Sequence, residues 1–198
     1  SLVEGRPLVP VRYDREQLRR RQALYGISLE DIELILAPMV MEAKEPVGSM
    51  GDDTPLAVLS NRYRGLHHFF RQQFSQVTNP PIDPLREYRV MSLKTRYGNL
   101  GNICDEDPSQ TAILELSSPV LTSREYEAVL TYFGSKVRIL DCTFPADGSE
   151  SLKDALERLR AEAEEAVRGG SESLVLTDEA VGPARMPIPM ILAVGAVH

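Results

Sequence analysis

The chain has 198 residues, of which 42% are hydrophobic, with no tryptophan and a formal net charge of −7. This length suits one large domain, or a small domain with an appendage, and allows a core of ordinary size. The acidic balance excludes nucleic acid and anionic membrane surfaces as principal partners, and no apolar run reaches the ~18 residues a membrane-spanning helix needs.

The two cysteines, Cys104 and Cys142, show neither metal spacing nor a disulfide framework, which points to a reducing, cytoplasmic setting. No signal-peptide pattern opens the chain. It begins on Ser1, with a polar, proline-containing lead-in over residues 1–12, and stops on an apolar stretch. The expectation is a piece of a longer polypeptide, with one domain over residues 13–198. Within it, residues 13–107 should be mostly helix and loop, and residues 108–198 should be α/β.

Asp14 is placed to cap a helix running to about Tyr25, with Gly26 as its stop. Its arginines, Arg15 and Arg19 to Arg21, are expected to form a solvated face. Ser28 opens a second helix, on which Ile32, Ile35, Leu36, Met39, Val40 and Ala43 fall on one predicted buried stripe. Pro38 should kink or split that helix near Leu34. Two helices across a glycine turn suggest a helix-turn-helix. Glu30, Asp31, Glu33 and Glu42 would repel phosphates, so a groove-reading role is rejected.

Residues 48–55 are a loop by composition, in which Asp52 and Asp53 are better suited to capping and turns than to metal binding. Leu66, Phe69, Phe70, Phe74 and Val77 continue at helical spacing. His67 and His68 lie between them and point too far apart to share a metal. The chain then enters Val77-Thr78-Asn79-Pro80-Pro81, where two prolines hold the backbone stiff and extended. Asp83 and Pro84 restart a helix to about Met91, and Tyr97 to Asp107 should be loop.

From Ala112 the pattern changes. Ala112 to Leu116 alternates as a strand, Thr122 and Glu125 form a capping box, and a helix runs to Phe133 with Gly134 behind it. Val137 to Cys142 reads as a strand, Ser151 starts a long amphipathic helix ending at Gly169-Gly170, and Ser173 to Thr177 is a short apolar strand. Met190 to Val197 is read as a further buried strand. A strand–helix–strand run of this length implies a parallel pair with a right-handed connection. The predicted fold class is therefore α/β, with a partial (β/α)-barrel-like parallel sheet in the C-terminal half behind a helical, proline-rich segment.

No nucleophile–base arrangement, phosphate loop or metal-spaced cluster stands out, so the residues themselves name no catalytic, cofactor-binding or metal site. Asp141 and Asp178 lie at strand C-termini, where barrel enzymes place working groups. Capping or solvent exposure is the more ordinary role for both. The rival to a scaffold is an independent barrel-type enzyme or small-ligand binder that uses this end of the sheet.

Three blocks carry a family resemblance: SLEDIELILAPM from Ser28 to Met39, EPVGSMGDDTPLAVLS from Glu45 to Ser60, and FSQVTNPPIDPLRE from Phe74 to Glu87. In that order they resemble the central domain of the glutamate synthase large subunit. The likeness is strongest over residues 13–122. It implies an oxidoreductase, dependent on a nicotinamide cofactor or ferredoxin, that makes two glutamates from glutamine and 2-oxoglutarate. A glutaminase domain would release ammonia, and an FMN domain with an iron–sulfur cluster would reduce the imine. Both domains would be partners within the same polypeptide. The central domain would join them, bind no cofactor, and contribute Val77, Thr78, Asn79 and Pro80 to the ammonia tunnel, with Gly51, Asp52 and Asp53 as a second interdomain loop. The family's catalytic and cluster cysteines match neither Cys104 nor Cys142. Read as a strand without its covering helix, Met190 to Val197 would also be open to self-association with a second chain.

Overall fold

A computed structural model describes residues 13–46, 55, 57–70 and 82–198. The chain divides into two compact units, Ser1–Glu127 and Ala128–His198.

In the first unit, helix α1 (Arg15–Leu24) starts on a full capping box. The Asp14 carboxylate accepts from the Glu16 and Gln17 amides, each at 2.8 Å, and the Gln17 side chain accepts from the Asp14 amide at 3.1 Å. Gly26 follows the helix at φ +65°. A Cβ there would sit 2.9 Å from the Tyr63 carbonyl oxygen, so the turn needs glycine for conformation and for close approach. Ser28 and Asp31 then bond reciprocally, with the Asp31 carboxylate accepting from the Ser28 amide and hydroxyl at 2.8 and 2.7 Å. Burial pushes the Asp31 carboxyl up. Hydrogen bonds from Ser28 and the charges of Arg64 and His68 outweigh it and hold the group below its ordinary value.

The proline kink expected near Leu34 takes the form of a π-helical turn over Asp31–Leu36, which runs into α2 (Ala37–Met41). The Ala37 amide bonds to the Ile32 carbonyl. Pro38 has no N–H to offer Leu34 and its ring would crowd that carbonyl; a widened preceding turn relieves both problems. The wider turn also breaks the 3.6-residue register, and the expected buried stripe does not form. Ile35, Leu36 and Val40 are exposed, while Ile32, Met39 and Ala43 are half-buried. The phenylalanine stripe fares likewise where it is described. Leu66–Phe70 is a 3-10 turn with Phe69 and Phe70 exposed. The His67 and His68 rings lie 4.3 Å apart, centroid to centroid. Phe74 and Val77 lie outside the described residues.

Helix α3 (Pro84–Val90) begins on Asp83, whose carboxylate accepts from the Leu85 and Arg86 amides at 3.1 Å. Strands β1 (Thr95–Tyr97) and β2 (Leu114–Leu116) pair antiparallel, with Arg96 opposite Glu115. Ser118 Oγ donates to the Met39 carbonyl at 2.9 Å and ties α2 to the segment after β2. The Thr122–Glu125 box opens α4 (Ser123–Phe133) as expected, and the boundary between the units falls inside this helix.

In the second unit, Gly134 turns the chain at φ +55°. Strand β3 (Val137–Asp141) pairs parallel with β5 (Ser173–Thr177), Asp141 lying opposite Thr177. The crossover between them holds β4 (Thr143–Pro145) and α5 (Leu152–Arg168), so the expected parallel pair is present. Strand β6 (Arg185–Pro187) pairs antiparallel with β4. Among the described residues the strands form three two-stranded sheets, a mixed α/β architecture without a barrel. Leu140, Cys142, Phe144, Leu159 and Ile188 make the core with Ala155 and Ala163 from α5 and with Ala193.

Met190–Val197 is a helix, α6, and not the predicted strand. An unbroken apolar run has no period to separate the two states. Here Pro189 takes the N-cap position directly before the run, and Met, Leu and Ala favour helix. The Leu192 and Ala193 amides both bond to the Pro189 carbonyl, at 2.8 and 3.1 Å. Ala193 is fully buried, and Leu192 and Val197 pack on the core. Without a strand at this end, the expected self-association by strand pairing loses its basis.

Candidate functional site

The sequence singled out Asp141 and Asp178 at the carboxyl end of the parallel pair, and the register places both there. Asp141 ends β3, and Asp178 directly follows β5. The structure gives Asp141 a bonded role. Its Oδ1 accepts from the Thr143 amide and hydroxyl, at 2.9 and 2.7 Å, and its Oδ2 accepts from Arg185 Nη2 at 2.8 Å. Arg185 Nε donates to Thr143 Oγ1 at 2.6 Å, and its Nη2 reaches the Thr143 carbonyl at 3.0 Å.

A second guanidinium meets the same carbonyl. Arg158 Nη2 donates to it at 2.9 Å, while Arg158 Nε donates to Glu150 Oε1 at 2.8 Å. The Glu150 hydrogen bond, opposed by burial, raises the Arg158 pKa further. Thr143 is fully buried, so two charged donors satisfy a carbonyl that water does not reach. This cluster cross-links β3, β4, β6 and α5. Both carboxylate oxygens of Asp141 accept hydrogen bonds within it.

Cys142 lies beside it, wholly buried, its amide bonded to the Thr177 carbonyl at 2.7 Å. Burial, then the charges of Asp178 and Asp141, push its thiol up to about 11. A buried thiol shifted in this direction is protonated at neutral pH, and only the thiolate is a good nucleophile. Cys104, in the other unit, is exposed. Among the described residues no three His, Cys, Asp or Glu side chains gather to hold a metal ion, and no helix is long and apolar enough to cross a membrane.

Val77, Thr78, Asn79 and Pro80, and the Gly51-Asp52-Asp53 turn, lie outside the described residues. Their flanks are visible. Gly65 and the 3-10 turn stand before residues 71–81, and α3 stands directly after, capped by Asp83.

The first unit also contains an open recess of about 400 Å³ that sequence reasoning missed. Glu42, Ala43 and Lys44 border it on one side and Pro84, Glu87, Tyr88 and Met91 of the α3 segment on the other, with Ser92, Lys94 and Ser117 completing it. Backbone bonds clamp the two sides together, from the Glu45 amide to the Met91 carbonyl at 3.2 Å and from the Leu93 amide to the Ala43 carbonyl at 3.4 Å. Ala43 has φ +51°, a left-handed conformation costing a residue with a Cβ about 1–2 kcal/mol. Neither Asp141 nor Asp178 belongs to this recess. The Ala43 strain leaves no trace in the sequence, because alanine is not a residue that announces a left-handed turn. Arg158 Nη1 also donates to Glu162 Oε1 at 3.4 Å, a contact open to i,i+4 reasoning; the Arg185 contacts were not.

With this geometry in view, comparison with known proteins is decisive. The family model for the glutamate synthase central domain matches residues 20–198. The large chain of an NADPH glutamate synthase from Azospirillum brasilense is 64% identical over 190 residues, covering 96% of this chain and 12% of that protein. A chloroplastic ferredoxin-dependent glutamate synthase of Arabidopsis thaliana is 49% identical over 187 residues, 92% of this chain and 11% of its own length. The NADH glutamate synthase of Schizosaccharomyces pombe is 42% identical over 195 residues, 96% of this chain and 9% of its length. The chain thus spans about a tenth of these relatives. It belongs to the glutamate synthase central domain family.

Proposed function

We propose that this domain is the structural centre of a glutamate synthase, the oxidoreductase that makes two glutamates from glutamine and 2-oxoglutarate. It joins the glutaminase and FMN domains of the same polypeptide, contributes Val77, Thr78, Asn79 and Pro80 to the ammonia path, and supplies no reacting group. The observation that carries this reading is the family match over residues 20–198. The three named relatives use NADPH, ferredoxin and NADH yet match over nearly the whole of this chain. Choice of electron donor is therefore assigned to other parts of the polypeptide.

The FMN and the iron–sulfur cluster are likewise assigned elsewhere. A cluster takes about four thiolates. This chain has two cysteines, one of them buried with a raised thiol, and that set does not fit. We also take the β3–α5–β5 unit as part of a larger barrel-like sheet. Ile139 on β3 is exposed, which suits a strand whose neighbours lie in the remaining polypeptide.

A conduit wall needs a fixed backbone and small polar side chains that exclude bulk water. The sequence holds residues suited to both needs: two consecutive prolines, whose rings restrict φ, and the hydrogen-bonding side chains of Thr78 and Asn79. Asn79→Trp or Thr78→Trp in the full-length enzyme is expected to uncouple the half-reactions, with glutamine hydrolysis outrunning glutamate formation and ammonium appearing in solution. One-to-one coupling in both variants would overturn the conduit role.

A further inference from the structure

Residues 26–45 hold both flanks of the stretch that carries Thr78 and Asn79. At their start, the backbone of residues 63–65 lies directly against Gly26. A Cβ there would meet the Tyr63 carbonyl oxygen at 2.9 Å and the Gly65 nitrogen at 3.3 Å. The charges of Arg64 and His68 also act on Asp31. At their end, the Glu45 amide donates to the Met91 carbonyl at 3.2 Å and the Leu93 amide to the Ala43 carbonyl at 3.4 Å, while Lys44 and Ser92 form an antiparallel bridge. This second hold lies directly behind α3. The first turn of α3 is fixed by the Asp83 carboxylate, which accepts from the Leu85 and Arg86 amides and pairs with the Arg86 side chain. A hydrogen-bonded helix passes the position of one end to the other. A clamp on Met91–Leu93 therefore fixes residue 82, where the chain emerges from residues 71–81.

The clamp depends on an unusual backbone. Helix α2 ends at Met41, with Glu42 as its C-cap, and Ala43 is the first residue beyond it, at φ +51°. A left-handed residue here turns the chain off the helix axis, and glycine is its usual occupant. Among the described residues Ala43 is the only non-glycine residue with a positive φ. A right-handed residue at this position would continue the helix and carry Lys44 and Glu45 away from Met91–Leu93. Strain of this kind persists where surrounding bonds over-determine it, and it gathers at functional segments.

We propose that Ala43 and the Glu45 amide are positioning groups for ammonia transfer: through the clamp on Met91–Leu93 and the capped helix α3 they set the place of Thr78 and Asn79. The inference rests on the conduit reading above. Its test measures glutamine hydrolysed against 2-oxoglutarate consumed in the full-length synthase, beside the Asn79→Trp and Thr78→Trp variants. Ala43→Val resists a left-handed φ because its Cβ is branched, and Glu45→Pro removes the donor to Met91. Each should leave glutamine hydrolysis in about twofold or greater excess, because a slight misplacement far from the reacting atoms is amplified at them. Ala43→Gly, which accepts the same φ, and Glu45→Ala, which keeps the amide, should stay coupled one to one. A purely structural role would lower both half-reactions together and leave their ratio at one. If Ala43→Val does not fold, Glu45→Pro carries the test. One-to-one coupling in every folded clamp variant would overturn the inference. So would uncoupling by Ala43→Gly or Glu45→Ala equal to that of the valine or proline variant. Tryptophan variants that uncouple beside clamp variants that do not would remove the positioning role alone, whereas coupled tryptophan variants would overturn the conduit itself.

Discussion

The two units solve the burial problem differently. The second, just over a third of the chain, buries Leu140, Phe144, Leu159 and Ile188 between a long helix, a short helix and paired strands. The first is larger, yet among its described residues Leu114 is the sole buried hydrophobic side chain. Its large apolar residues, Met41, Leu59, Leu85, Tyr88 and Ile103 among them, face solvent. The second unit is held by its own interior. Among its described residues the first is held by caps, close glycine contacts and backbone clamps.

The sharpest way to break that contrast is to hollow the second unit. Leu159 is fully buried in the middle of α5. Leu159→Ala should cost about 2–5 kcal/mol from lost burial and the cavity left behind. Amide hydrogen exchange in the full-length protein should show faster exchange through α5, β3 and β5, with the first unit unaffected. Uniform acceleration in both units would show that they do not fold separately.

The same contrast explains what the sequence made legible. In the second unit, period and punctuation agree. Ser151 and Gly169 bound an amphipathic helix that buries Leu159 and Ala163, together with Ala155, which the periodicity did not pick out, and leaves Val167 exposed, and β5 begins and ends where its apolar run does. The failure there, α6 taken for a strand, arose where eight apolar residues carried no period. In the first unit the caps at Asp14, Asp83 and Thr122 were readable because they are local hydrogen-bond chemistry. Among the described residues its predicted stripes are only half-buried or exposed, because a stripe says that a face is apolar and not what covers it. Of the candidate site, Asp141 and Asp178 were correctly brought to one end of the sheet. The Arg185 that claims Asp141 lies 44 residues away, and no local rule could supply it. The recess was invisible for the same reason: its walls come from residues some 40 positions apart in sequence.

A smaller effect tests the first unit's reliance on close backbone contact. Gly26→Ala places a Cβ in a left-handed turn and 2.9 Å from the Tyr63 carbonyl. The expected cost is about 1–2 kcal/mol, seen as faster exchange in residues 15–27 and 57–70, with α5 unchanged. If this variant exchanged like the parent, the turn would not be a fixed point of the unit.

The smallest effect separates local capping from core packing inside the second unit. Ser151 Oγ accepts from the Asp154 amide at 3.1 Å and donates to the Asp154 carboxylate at 2.6 Å. Those side-chain and backbone bonds hold the Asp154 carboxyl below its ordinary 3.8. Ser151→Ala should cost about 1 kcal/mol, expressed as fraying of the first turn of α5, with Leu159 still protected. The sign of the pH effect follows from the lowered value. The folded state binds the Asp154 proton less readily than the unfolded one, so the stabilisation is complete well above pH 3.8 and is lost as pH falls through the lower folded value. In the Ser151→Ala variant this acid-side loss should shrink, because the hydroxyl that favoured the ionised carboxylate is gone. An N-terminal turn of α5 whose exchange is equally acid-sensitive with and without Ser151 would assign the pH response to another carboxylate in the unit.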